Sequence, residues 1–235
     1  MRYALYFSPD PASLFGDLAA SWLGRDTQSG KPVAHPDLDG LGASELASIT
    51  GPARRYGFHA TLKAPFRLAD GARESDLVSA LEAFASQTAA FEISSLVVGQ
   101  LEGFLALVPG GPAPQLNAFA NSVVEAFEPL RADLSDRDIE RRNPESLSTA
   151  QLKHLMRWGY PYVFDQFRFH MTLTTRLSGA DIERVEKAAR EHFAPALAAP
   201  VVVRTLSLFV EPEPGAPFTI HTRAPLAFDQ HRKTA

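Results

Sequence analysis

Two short stretches of this chain alternate in the same way, and together they constrain the fold more than any other feature. In the first, Phe58, Ala60, Leu62, Ala64 and Phe66 share one parity, and Gly57, His59, Thr61, Lys63 and Pro65 share the other. In the second, Phe167, Phe169, Met171 and Leu173 alternate with Arg168, His170, Thr172, Thr174 and Arg176. Side chains on a strand point to opposite faces with period two, so each stretch predicts a strand with one apolar and one polar face. Sheets with one wet face are usually antiparallel. The two histidines lie 111 positions apart (170 − 59), far too long a period for a solenoid. A duplicated half-domain would leave such a spacing.

The flanking elements repeat too. Residues 2–8 read as a strand, and Asp10-Pro11 reads as the start of a helix carrying Leu14, Phe15, Leu18, Trp22 and Leu23, stopped by Gly24. Residues 25–50 read as a long connection with one helical turn near Leu46. The first His-x-Thr strand is expected over 56–66, then a helix over about 74–88, then strands over 91–99 and 101–108. A third helix (Leu116 to Phe127), a polar stretch at 129–147 with Arg137, Arg141 and Arg142, and a short helix closed by Gly159 lead to the second motif strand at about 166–175. Ser178 to Asp181 resembles a capping box before a last helix. Strands over 200–210 and 218–222 follow, and a polar tail is expected to fray from Phe228. The fold class expected is α+β, with two similar halves packed about a pseudo-two-fold axis and their polar strand faces turned toward one another across a cleft. One domain over 1–235 would hold an N-terminal repeat at about 1–100 and a C-terminal repeat at about 101–225.

Composition narrows the chemistry. The 235 residues carry no cysteine, which removes thiol nucleophiles and thiolate metal sites. The formal net charge of −4 does not favour extended nucleic acid, although short RNA ends remain compatible. The N-terminal apolar run is too short for a signal peptide and no stretch reaches transmembrane length, so a cytoplasmic protein without a membrane partner is expected. Neither a Gly-x-x-x-x-Gly-Lys-Ser/Thr loop nor a Gly-x-Ser-x-Gly elbow is present. Two histidines and two threonines without a nearby carboxylate make a poor zinc set, so no metal and no cofactor are expected.

The paired motifs suit phosphoryl chemistry. Two imidazoles meeting in one cleft supply a base and an acid near neutral pH. A threonine two positions along each strand points the same way and offers a hydroxyl to a phosphoryl oxygen. Lys63 and Arg168 share the histidine faces by parity and are candidate substrate contacts. Tyr56 is of the opposite parity and joins them only through a backbone irregularity. Tyr160 and Tyr162 are candidates for a lid.

The strings Arg55-Tyr56-Gly57-Phe58-His59-Ala60-Thr61-Leu62-Lys63 and Phe169-His170-Met171-Thr172-Leu173-Thr174, the latter preceded by Trp158-Gly159-Tyr160-Pro161-Tyr162, resemble the 2H phosphoesterase superfamily. The resemblance covers most of the chain in element order, and it implies a bilobal α+β fold with antiparallel sheets flanking a central cleft and helices on the outer faces. The branch it resembles is often encoded beside bacterial phosphonate-utilisation genes. The resemblance implies acid–base roles for His59 and His170 and phosphate binding by Thr61 and Thr172. It implies a metal-independent hydrolase acting on a small cyclic phosphodiester, such as a ribose or nucleotide cyclic phosphate. The alternatives are an RNA-end 2′,3′-cyclic phosphodiesterase or 2′–5′ RNA ligase-like enzyme, and a non-catalytic sugar-phosphate or nucleotide binder.

Overall fold

The computed structural model describes residues 1–227, so the expected frayed tail lies outside the described residues. In order, the chain forms β1 (Arg2–Phe7), α1 (Leu14–Leu23), α2 (Ala43–Tyr56), β2 (Ala60–Phe66), α3 (Glu74–Gln87), β3 (Phe91–Ile93), β4 (Leu96–Leu101) and β5 (Phe104–Pro109). It continues with α4 (Pro114–Ala126), α5 (Asp136–Glu140), α6 (Thr149–Trp158), β6 (Met171–Arg176), α7 (Ala180–Leu197), β7 (Val201–Val203), β8 (Thr205–Glu211) and β9 (Thr219–Pro225). This is an α+β fold built on one seven-stranded sheet of order β4-β5-β6-β2-β1-β8-β9, with β3 and β7 forming a separate pair. All the strand pairs are antiparallel.

The seam between β2 and β6 divides the large sheet into two wings. One wing is β2-β1-β8-β9 and the other is β6-β5-β4. The wings do not follow the sequence halves. Strand β8 lies beside β1 with β9 beyond it, and β4 lies beside β5, so the C-terminal half contributes two strands to the β2-β1 wing and the N-terminal half one strand to the other. The strands expected over 91–99 and 200–210 are each split, and their first parts pair with one another as β3 and β7.

One face of the sheet is closed by helices. Leu5, Phe7, Leu62, Leu107, Met171 and Leu173 from the strands pack with Trp22, Leu46, Leu81, Phe119, Val185 and Phe193 from the helices. Burying side chains of this size stabilises by about 1.5–3 kcal/mol each. Trp22 is fully buried, and its indole N–H donates to the Leu173 carbonyl at 3.0 Å, tying α1 to β6. The opposite face carries a smaller cluster of Ala4, Tyr6, Phe209, Phe218 and Ile220, against which Tyr56 packs.

Several boundaries differ from expectation. Helix α1 is capped by Ser13, whose side chain accepts from the Gly16 amide, rather than by Asp10. Helix α7 begins after Gly179 without a side-chain cap, so the Ser178–Asp181 box does not form. The largest difference is α2, fourteen residues long where a connection and the start of a strand were expected. Gly51-Pro52 reads as a turn, since an interior proline removes a helical hydrogen bond and costs about 3 kcal/mol. Here Arg54 offsets that cost. Its guanidinium donates to the Ala47 carbonyl (2.6 Å), the Thr50 hydroxyl (2.8 Å) and the Leu23 carbonyl (2.5 Å) at the end of α1.

Candidate functional site

The site is set by one backbone pair. Ala60 on β2 lies opposite Met171 on β6, and both are fully buried on the helix-covered face. Residues one step away turn to the other face. Continuing the antiparallel register sets His59 across from Thr172 and Thr61 across from His170. Directly opposed side chains have Cβ atoms about 4.5–5.5 Å apart. The four motif residues thus form a diagonal quartet, each imidazole facing the other strand's hydroxyl.

Both imidazoles are fixed by the backbone two residues earlier. The Nδ1 atom of His59 lies 2.9 Å from the Gly57 carbonyl, and that of His170 lies 2.8 Å from the Arg168 carbonyl. A carbonyl only accepts, so each Nδ1 carries the proton and each Nε2 is the working atom. The Thr61 hydroxyl is 3.3 Å from Nε2 of His59. Gly57 makes the first turn possible. Its φ of 78° favours glycine, and a Cβ there would lie 2.3 Å from Cγ2 of Thr27.

The His59 end of the cleft is aromatic. The Tyr6 ring stacks on the imidazole at 3.9 Å with a 24° tilt, and the Tyr56 ring is 6.0 Å away. Burial pushes the His59 pKa down to about 4, the proximity of His170 pushes it the same way, and the Gly57 carbonyl opposes both. His59 is therefore neutral at physiological pH, with an available lone pair on Nε2. Burial also raises the Tyr6 and Tyr160 phenols, keeping both protonated. The ring of Phe104 borders His170 at 5.9 Å.

The other expected contacts sort differently. Tyr56 reaches the site because it ends α2, not through a strand irregularity. Tyr162 is exposed and meets the Tyr160 ring edge-on at 5.5 Å. Arg168 is exposed, and its contact with the site is through its carbonyl. Lys63 is a correction: its ammonium is buried and donates to Glu128 at 2.7 Å and to the Val124 carbonyl at 3.0 Å, away from the cleft. The cause is a slip in the β1–β2 register. Tyr6 pairs with Thr61 but Leu5 pairs with Lys63, so Leu62 has no partner and strict parity fails beyond it. Tyr6 was missed. Its signal was the parity of β1, which sets Arg2, Ala4, Tyr6 and Ser8 apart from Tyr3, Leu5 and Phe7. Among the described residues, no three His, Asp or Glu side chains converge to hold a metal ion. No helix of the described residues is long and apolar enough to cross a membrane.

A sheet of this topology with this quartet defines a class, and comparison with known proteins gives it a family. Residues 61–219 match the family described as protein of unknown function DUF1045, which is more than half of the chain, and the chain belongs to that family. It is similar to a ribose 1,5-bisphosphate phosphokinase PhnN of Janthinobacterium sp. (strain Marseille), 42% identical over 230 residues, covering 96% of this chain and 51% of the relative. A protein of the same name from Laribacter hongkongensis (strain HLHK9) is 41% identical over 220 residues, covering 94% and 50%. The chain thus spans about half the length of these curated relatives. Their name agrees with the phosphonate-associated branch expected from the sequence.

The same names correct the expected reaction. The resemblance implied a hydrolase opening a cyclic phosphodiester, whereas both relatives are named as phosphokinases, enzymes that transfer a phosphoryl group. The hydrolase and phosphodiesterase expectations are overturned by that finding.

Proposed function

We propose that this chain is a phosphorylated-pentose-binding domain serving phosphoryl-transfer chemistry, with one phosphoryl group seated on the His59–Thr61–His170–Thr172 quartet. The observation that supports it most is the Ala60–Met171 pair, which gathers both His-x-Thr motifs on one face. Neutral His59 offers its Nε2 as acceptor and base to a ligand hydroxyl. The threonine hydroxyls donate to phosphoryl oxygens, and His170 meets the same phosphoryl group from the other strand. Half-buried Tyr56 gives the sugar an apolar wall, and the buried Tyr6 ring backs the His59 imidazole. In support of this reading, the paired motifs resemble those of the 2H superfamily, and the relatives' name gives ribose 1,5-bisphosphate as what those proteins act on.

Calorimetric titration with ribose 5-phosphate and unphosphorylated ribose tests this. The phosphorylated sugar is expected to bind and ribose is not. Hydrogen bonds to a charged ligand are worth about 1.5–3 kcal/mol, so His59→Ala and His170→Ala should each weaken binding by roughly 10- to 100-fold. Equal binding of both sugars, or unchanged affinity in both variants, contradicts the proposal.

A further inference from the structure

At the Ala64–Phe66 end of β2 lies a recess lined by Arg2, Arg67, Arg131, Arg141, Arg142 and Tyr160. Five guanidiniums in one recess repel one another unless something neutralises them. Three are held by carboxylates: Arg2 by Glu211 at 2.5 Å, Arg67 by Asp138 at 2.8 Å and Arg131 by Glu128 at 2.7 Å. Arg141 is only loosely paired, 3.7 Å from Asp138, which Arg67 already holds. Arg142 differs from all of these. Among the described residues no carboxylate forms an ion pair with it, and its guanidinium lies over the Tyr160 ring, 4.9 Å from the centroid. A guanidinium held over a ring by its charge keeps N–H donors for an anion, and its planar fork matches phosphate. The stack also limits the freedom the side chain would lose on binding an anion.

The recess shares a strand with the quartet: Ala64 and Pro65 of β2, which carries Thr61, line it together with Tyr160. The charge of Arg142 acts on the Tyr6 phenol, and the Tyr6 ring stacks on His59.

We infer that Arg142, assisted by Arg141, forms a second anion subsite, so that the cleft takes a small molecule phosphorylated at both ends. This rests on the phosphoryl-site reading of the quartet. One phosphate sits on the quartet, the sugar spans the gap between the two subsites, and the other phosphate takes the N–H donors of Arg142. Lysine at position 142 would keep the charge and lose the fork.

The test compares ribose 5-phosphate with ribose 1,5-bisphosphate on wild-type protein, Arg142→Gln and Arg141→Gln by calorimetry. Wild-type protein should bind the bisphosphate at least 10-fold more tightly. Arg142→Gln should lose that advantage while its affinity for ribose 5-phosphate changes less than twofold, which also shows that the variant is folded. Arg141→Gln, altered at an exposed side chain, should lose part of it. Binding of ribose 5-phosphate with no advantage for the bisphosphate, or an advantage that survives in both variants, overturns the second subsite alone. Failure of both ligands to bind wild-type protein overturns the quartet reading and the subsite with it.

Discussion

Ala60 and Met171 face each other across the seam of the sheet, and both are closed off from solvent beneath the site. Their pairing decides which residues meet above them. A one-residue slip would turn His59 and Thr61, or His170 and Thr172, into the core.

Enlarging the side chain at this seam should therefore damage the site from below. Ala60→Leu forces three extra carbons into a packed core, and overpacking of this kind costs about 1–3 kcal/mol. Urea unfolding should show that loss. Calorimetry on the folded variant should show weaker binding of ribose 5-phosphate although no cleft residue has changed.

His59 makes stability depend on pH with a definite sign. Its folded pKa is about 4 and its ordinary value is 6.5. Between those values the unfolded chain binds the proton and the folded protein does not, so stability rises with pH through that window. The contribution is complete above pH 6.5, is lost as pH falls toward 4, and is at most ~3 kcal/mol. Urea midpoints of wild-type protein and His59→Gln between pH 7 and 4 measure it. The variant should lose less stability over that range, and the difference should vanish if His59 titrates normally.

The buried Lys63–Glu128 pair predicts an asymmetry. Glu128 also accepts from Arg131 at 2.7 Å, so Lys63→Met leaves the carboxylate with a partner and should cost only about 1–2 kcal/mol. Glu128→Ala leaves a buried ammonium without its counter-charge, a change that costs about 3–5 kcal/mol. Neither variant should shift ribose 5-phosphate affinity more than twofold, because the pair lies outside the cleft.

Gly57 links backbone conformation to the histidine tautomer. Gly57→Ala places a methyl group 2.3 Å from Thr27 Cγ2 on a backbone with φ of 78° and ψ of 173°, a region costing about 1–3 kcal/mol even without the clash. Nitrogen-15 NMR of the imidazoles should show the Nδ1–H form at His59 in wild-type protein. The variant should show a mixture of tautomers.

The site was legible in the sequence where it depended on parity alone. His59, Thr61, His170 and Thr172 sit on continuous alternations, and a duplicated alternation carries its own register. Lys63 lies just past an unpaired Leu62, and nothing in one strand's sequence reveals a slip that belongs to its pairing with another. Tyr56 was legible as a residue but not as a position, because α2 runs through Gly51-Pro52 on hydrogen bonds that Arg54 makes to Leu23 of α1 and to Ala47 within α2. The crossing of β4, β8 and β9 between wings is likewise a long-range choice. Local pattern gave the strongly periodic elements, whereas α2, the splitting of two strands and the strand partners came from tertiary contacts.

The central claim is that the diagonal quartet seats one phosphoryl group. A crystal structure with ribose 5-phosphate bound tests it most directly. The account predicts the phosphorus between the two imidazoles, with phosphoryl oxygens within hydrogen-bonding distance of both threonine hydroxyls and of His170 Nε2. A phosphate bound elsewhere, with Nε2 of His59 and His170 making no contact to it, would contradict the account.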